Sequence, residues 1–125
     1  MVTNNRQPKW DIFEAAILLE AVLNVDAKTE SKKDAIKRVS STLRRMAINK
    51  GRNIDGTFRN LNGITFQFQS MEFSLYGKQN SIHKTGSKVF DEVVALYRDD
   101  PMEYNRILAT AHANVNVDMK SDNHN

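Results

Sequence analysis

The sequence contains no cysteine, which excludes a disulfide framework, a thiolate nucleophile and any cysteine-ligated zinc or iron–sulfur site. It has only two prolines and five glycines, so long helices are permitted. The longest apolar run, Ala15 to Leu19, is far too short to span a membrane. The polar stretch from Met1 to Trp10 lacks the apolar core of a signal peptide. We therefore expect a soluble cytoplasmic protein that has no membrane partner.

Groups suited to catalysis are also scarce. The acidic neighbours Asp91-Glu92 and Asp99-Asp100 would point in different directions on a helix, so neither forms a paired acid/base site. No serine lies in a nucleophile-elbow motif, and no glycine-rich loop ends in Gly-Lys-Ser/Thr. The histidines lack metal-ligand spacing; they are His83, His112 and His124. The sequence thus predicts no catalytic centre, no metal and no cofactor, and hence no enzyme.

Hydrophobic periodicity over 125 residues predicts a single all-α domain, a compact bundle of about five helices. The first helix is expected from Trp10 to Asn24, with apolar surface on more than one side and with Glu14 and Glu20 off its main stripe. A second helix follows a cap at Thr29 or Ser31 and runs to about Lys50. Gly51 is well placed as the left-handed residue that ends it.

The segment from Gly56 to Tyr76 is ambiguous. Alternation of apolar and polar residues around Phe66 is typical of a strand, whereas apolar residues at steps of three and four over a longer range favour a helix. The longer pattern predicts a third helix with Asp55 as its cap. Gly63 inside it suggests a close contact or a kink.

Two further helices complete the predicted bundle. Ser87 can cap the fourth helix, and Asp100 followed by Pro101 is a typical start for the fifth. The predicted organisation is a disordered lead-in over residues 1–8, a helical domain over 9–113 and a polar, disordered tail over 114–125.

Charge is distributed unevenly along the chain. Residues 28–59 carry ten positive and three negative charges, whereas the segments before and after them each have a net charge of −2. A local basic surface attracts polyanions, although a merely solvated helix face gives the same composition. On the second helix, Lys33, Lys37, Arg44 and Arg45 are expected to project away from the apolar stripe.

These residues together with the start of the third helix suit duplex DNA. Lysine and arginine bind phosphates, arginine can pair with guanine, and asparagine or glutamine can pair with adenine. The alternative for Arg59 and Asn60 is that they cap or brace helix packing. The candidate nucleic-acid-binding residues are Lys33, Lys37, Arg44, Arg45, Lys50, Arg52, Arg59, Asn60, Asn62 and Gln67.

A second interpretation is a protein-interaction or oligomerisation module without nucleic-acid binding. Most aromatic residues fall on the predicted core stripes, but Phe66 and Phe73 do not. They are seven residues apart and could cover the later helices. Together with Ile12 they could instead form an exposed patch for another protein or for a C-terminal effector region.

Several segments, taken in order, resemble one bacterial helical domain. Trp10 precedes Phe-Glu-Ala-Ala-Ile-Leu-Leu-Glu over residues 13–20, and Ser-Ser-Thr-Leu-Arg-Arg-Met-Ala follows over 40–47. Phe-Arg-Asn-Leu-Asn-Gly-Ile over 58–64 is the most specific part, followed by Gln67 and Met71-Glu72. Gly86-Ser87-Lys88 and the stretch 93–98 complete it. This pattern is similar to a domain often found N-terminal to HNH-type endonuclease, restriction or helicase-like regions, and in uncharacterised Firmicutes proteins.

The resemblance, which covers about residues 9–112, implies a DNA-associated accessory domain of a defence or mobile-element protein. By this likeness Arg59, Asn60, Asn62 and Gln67 match the signature. The chain has no HNH-like metal centre, so nuclease activity is not implied. The early tryptophan and the three-helix start are also loosely similar to Myb-like DNA-binding units.

Overall fold

A computed structural model describes residues 8–77 and 87–122, with side chains described as far as residue 116. Five helices and no strand occur in these ranges, so the predicted all-α bundle is confirmed. The helices are α1 (Ile12–Asp26), α2 (Lys32–Asn49), α3 (Leu61–Tyr76), α4 (Lys88–Asp99) and α5 (Pro101–Asp122).

Helix α1 is the centre of the bundle. It contacts all four other helices, and the run Ala15 to Leu19 is fully buried. The expectation that this helix is covered on more than one side is therefore confirmed. Because α4 and α5 also cover α1, the first three helices are not a separate unit. They belong to one core shared by all five helices.

The starts of α1 and α2 are determined by local hydrogen bonds. Asp11 accepts from the Glu14 amide at 2.8 Å while Glu14 accepts from the Asp11 amide at 3.1 Å, a reciprocal capping box. Ser31, rather than Thr29, caps α2 by accepting from the Asp34 amide. Gly51 follows α2 at φ 82°, which confirms its predicted left-handed role.

The ambiguous segment forms a helix, as predicted, but α3 begins at Leu61 rather than near Gly56. The carboxylate of Asp55 does not cap it; it accepts from the Thr57 and Phe58 amides and closes a turn. Arg59 then adopts φ 47°, a left-handed conformation that cannot continue a helix. Asn60 is the actual cap, and its side chain accepts from the Gly63 amide at 2.8 Å.

For Gly63 the sequence suggested either a close contact or a kink, and the structure shows the close contact. A Cβ built at this position would lie 3.2 Å from the Oδ1 atom of Asn60, so a larger residue would press on the cap. The glycine therefore leaves room for the side chain that starts α3.

Helices α4 and α5 meet at the predicted restart. Asp100 accepts from the Glu103 amide, and Pro101 is the first residue of α5. Helix α5 continues beyond the predicted boundary at residue 113 to Asp122, so most of the expected tail is helical. Residues 123–125, and residues 1–7 of the expected lead-in, lie outside the described residues. None of the described helices has the length and apolarity needed to cross a membrane.

Candidate nucleic-acid interface

One side of α2 carries a row of cations that we call the basic edge: Lys33, Lys37 and Arg44. Separations of four and seven residues place them on the same side of a helix. Lys33 and Lys37 are exposed, and Arg44 is half-buried. One guanidinium nitrogen of Arg44 donates to the carbonyls of Asp55 at 3.0 Å and Phe58 at 2.6 Å. The basic edge therefore borders the loop that leads into α3.

Helix α3 lies antiparallel beside this edge. The Ser40 hydroxyl donates to the Arg59 carbonyl at 2.7 Å, which places the middle of α2 beside the start of α3. The Lys32 ammonium lies 5.2 Å from the ring centroid of Phe68, which places the start of α2 beside the middle of α3. Lys33 and Lys37 fall between these two contacts, so the basic edge follows the first half of α3.

Three other cations of the basic segment are paired with acids. Arg38 binds both carboxylate oxygens of Glu30 at 2.8 Å, and Lys50 lies 3.6 Å from Asp11. The third pair joins Arg59 to Glu14 at 3.0 Å.

Several cations of the basic segment are exposed and form no ion pair with a described residue. No ion pair with another described residue involves Lys33, Lys37 or Arg52, all of which are exposed. Arg45 is also exposed but points about 100° away from Arg44 around the helix axis. Positive charge thus remains on the basic edge and in the loop after α2.

The side chain of Arg59 is buried and paired within the bundle. The residue is only 3% exposed, and its Nε and Nη2 atoms donate to the two carboxylate oxygens of Glu14 at 3.1 and 3.0 Å. Nη2 also donates to the Pro8 carbonyl. The guanidinium lies 4.7 Å from the Trp10 ring centroid and 4.6 Å from that of Phe58. This placement matches the bracing role that the sequence left open, rather than a contact with a base.

The other three residues that carry the family resemblance do not all lie together: Asn60, Asn62 and Gln67. Asn60 and Gln67 line a surface cavity of about 420 Å³ with Arg59, Trp10 and Gly63. The amide oxygen of Asn60 is engaged in the helix cap, and the charge of Arg59 is balanced by Glu14, so this cavity presents no uncompensated cation.

Asn62 lies away from that cavity, exposed on the outer side of α3. The signature is therefore mainly a device that starts α3 and ties it to α1. It does not present its four polar side chains together to a ligand.

The sequence pattern misplaced Glu14, which was expected off the buried stripe. It is 7% exposed because its carboxylate is enclosed by Arg59 and by the cap of α1. A glutamate between the apolar residues Phe13 and Ala15 of the first helix was the signal for a buried partner of opposite charge. Its partner lies 45 residues away in sequence, so spacing alone could not identify it.

A second set of residues was only partly recognised. Exposed or half-buried side chains recur along the outer side of α3 at steps of four and three, opposite the buried stripe. We call this set the outer face of α3; it consists of Asn62, Phe66, Gln69, Phe73 and Tyr76. The sequence pattern indicated Phe66 and Phe73 but not Gln69 and Tyr76, which belong to the same face. Ile12, which was grouped with them, packs partly buried against the core.

The described residues contain no cluster of three or more histidine or acidic side chains that could hold a metal ion. His112 pairs with Glu20 at 3.0 Å across α1 and α5. His83 and His124 lie outside the described residues.

Among the groups whose pKa is shifted by their surroundings are Glu30 and Tyr104. The hydrogen bonds and charge of Arg38 lower the pKa of Glu30 below its ordinary value of 4.5. Burial raises the pKa of Tyr104, whose hydroxyl donates to the Ala16 carbonyl at 3.1 Å. Tyr104 joins α5 to α1, Glu30 joins the loop before α2 to that helix, and neither belongs to the basic edge.

Comparison with protein-family models, with curated proteins and with solved structures finds no match to this chain.

Proposed function

We propose that this protein is a non-catalytic DNA-binding domain whose basic edge contacts the phosphate backbone. The observation that carries the proposal is the row of Lys33, Lys37 and Arg44 along one side of α2. Two of these cations are exposed and without an acidic partner among the described residues. A row of cations about one helical turn or two apart is suited to a strand of regularly spaced phosphates.

The acids near this row are few. Asp34 lies in the first turn of α2, where a carboxylate interacts favourably with the helix dipole. Asp55 lies beside Arg44 in the loop before α3, and Glu72 is the one charged residue within α3. Arg52 extends the positive charge beyond the end of α2. In this proposal the cations of the basic edge bind phosphates, as the sequence predicted. Arg59 and Asn60 contact no base, because Arg59 is paired with Glu14 and Asn60 caps α3.

The sequence resemblance supports an accessory role in a bacterial restriction, defence or mobile-element protein. In such a protein the domain would bring a separate effector region to DNA. A partner of this kind would contribute the chemistry, since the proposed interface supplies affinity and position only.

The test is a fluorescence-anisotropy titration of a labelled random duplex at several salt concentrations. The logarithm of the binding constant should fall linearly with the logarithm of salt concentration, by about 0.9 for each phosphate contacted. The double substitution Lys33→Gln/Lys37→Gln should reduce that slope by about 1.8. Lys88→Gln, which removes an exposed lysine from the start of α4, is the charge control and should leave the slope nearly unchanged. Absence of binding at low salt, to this duplex and to a single strand of the same length, would overturn the proposal.

A protein-interaction module is the second candidate, and the exposed aromatic residues favour it. Phe66 and Tyr76 are 50% and 48% exposed on the outer face of α3. Large exposed apolar groups often mark contact surfaces. Light scattering that shows a concentration-dependent dimer, with no affinity for DNA, would select this function over the first.

A further inference from the structure

The outer face of α3 is unusual for a solvated helix face. Three of the five large apolar residues that are exposed within the described ranges belong to α3: Leu61, Phe66 and Tyr76. The outer face alternates aromatic rings with the amides Asn62 and Gln69, and it contains no charged residue. Charged side chains normally dominate the solvent side of an amphipathic helix. This composition therefore points to a ligand that offers both flat rings and hydrogen-bonding edges.

The two flanks of the outer face have different neighbours. The buried stripe of α3 contains Ile64, Phe68 and Met71, and the outer face lies on the opposite side of the helix. Ser74, on one flank, donates to the carboxylate of Asp91 in α4. The other flank lies beside α2 and its basic edge, as the contacts of Ser40 and Lys32 show. Phe66, in the first half of α3, thus lies beside the cations, and the rest of the outer face continues past the start of α2 to Tyr76.

We propose that the outer face of α3 binds single-stranded DNA, with bases stacked along it on Phe66 and Tyr76 and with the phosphates next to Phe66 on the basic edge. The inference rests on the proposed function and specifies the form of DNA. Nucleobases stack on aromatic side chains when a strand is unpaired, and cations alongside follow its backbone. A duplex hides the faces of its bases and would use only the cations.

The dimensions of the surface suit a short strand. From Asn62 to Tyr76 the outer face extends about 21 Å, at about 1.5 Å of rise per residue. At about 3.4 Å per stacked base, this length accommodates about six nucleotides. The amides of Asn62 and Gln69 lie between the rings, where they can donate to and accept from base edges.

Charge decides between this ligand and an apolar protein partner. A protein that covered only the rings would leave the neighbouring lysines without a counterpart. A nucleic-acid strand uses both features at once, because its bases and its phosphates lie on opposite sides of the sugar backbone. We therefore take single-stranded DNA as the occupant and treat a protein partner as an outcome of the test.

The experiment compares a labelled oligothymidylate of about twelve nucleotides with a duplex of the same length, at one salt concentration. The full chain should bind the single strand more tightly than the duplex. Phe66→Leu and Tyr76→Leu keep apolar bulk but remove the ring, and each should weaken single-strand binding by about five-fold or more. Both should change duplex affinity by less than about two-fold. Circular dichroism confirms that the variants are folded.

Two controls separate stacking from general apolar contact. Phe66→Trp keeps a flat ring and should retain single-strand affinity, whereas a purely apolar contact would not distinguish tryptophan from leucine in this way. Met102→Leu alters an 81% exposed apolar residue on α5 and should have no effect on either ligand.

The outcomes distinguish the two proposals. Equal affinity for the two forms of DNA, or leucine variants that bind the single strand normally, would overturn the inference and leave the proposed function standing. Failure to bind either form would overturn both. A dimer that dissociates in Phe66→Leu, in a chain without DNA affinity, would also overturn both and identify the outer face as a protein interface.

Discussion

The guanidinium of Arg59 binds both carboxylate oxygens of Glu14, with Nε at 3.1 Å and Nη2 at 3.0 Å, across 45 residues of sequence. This pair joins the start of α1 to the loop before α3, and the rings of Trp10 and Phe58 lie against the guanidinium. Both side chains are almost completely buried. Each therefore depends on the other, because an unpaired charge in this environment is costly.

We expect Arg59→Leu to lower the free energy of unfolding by about 3–5 kcal/mol, since it leaves the buried Glu14 carboxylate without its partner. Arg59→Lys should be intermediate, because an ammonium cannot reproduce the two parallel hydrogen bonds. Urea denaturation followed by circular dichroism measures both effects.

The double variant Glu14→Gln/Arg59→Leu is the matched control and should recover part of the loss, because no buried charge remains. A cost of less than about 1 kcal/mol for Arg59→Leu would show that the pair is not a major support of the fold. A loss of DNA affinity under conditions where the variant is fully folded would instead return Arg59 to the interface.

Asn60 offers a separate test of the start of α3. Asn60→Ala removes the side chain that accepts from the Gly63 amide, and we expect it to cost about 1 kcal/mol of stability. Asn60→Ser keeps a capping oxygen and should cost much less. Thermal denaturation of the three proteins provides the comparison, and DNA affinity should be unchanged in all of them. Equal stability of the alanine and serine variants would argue against the capping role.

The pair formed by Glu30 and Arg38 should make stability depend on pH. Arg38 lowers the pKa of Glu30 in the folded chain below its ordinary value of 4.5. The unfolded state consequently binds more protons in this range, so the stabilisation is present above about pH 4.5 and is lost as pH falls through the folded-state pKa. We expect Glu30→Gln to cost about 0.5–1 kcal/mol at neutral pH, because the pair is partly exposed.

The measurement for this pair is urea denaturation of the wild type and Glu30→Gln at neutral pH and near pH 3. The difference in unfolding free energy between the two proteins should shrink at the lower pH. Glu92→Gln removes an exposed carboxylate on α4 and should change stability by less than about 0.5 kcal/mol at either pH. A difference that stays constant with pH would exclude the assigned role of Glu30.

Local sequence signals predicted the helices correctly where the capping residue and the apolar periodicity indicate the same boundary. Ser31, Gly51 and the Asp100-Pro101 step all lie where the pattern placed a helix end or start. The pattern failed at the start of α3, where Asp55 was the expected cap. There the left-handed conformation of Arg59 prevents a helix from starting before Asn60. The side chain of Arg59 also pairs with Glu14, a contact between distant residues that local sequence rules cannot predict.

Composition and spacing alone established that the chain forms a helical bundle without cysteine chemistry, and that its basic residues are concentrated around α2. These properties follow from short-range rules of helix formation and from the order of charges along the chain. Tertiary packing decided which of those charges remain at the surface. It brought Glu14 to Arg59 and enclosed both, and it set Lys33 and Lys37 beside α3. Such pairings depend on how helices distant in sequence lie against each other, which periodicity within one helix cannot specify.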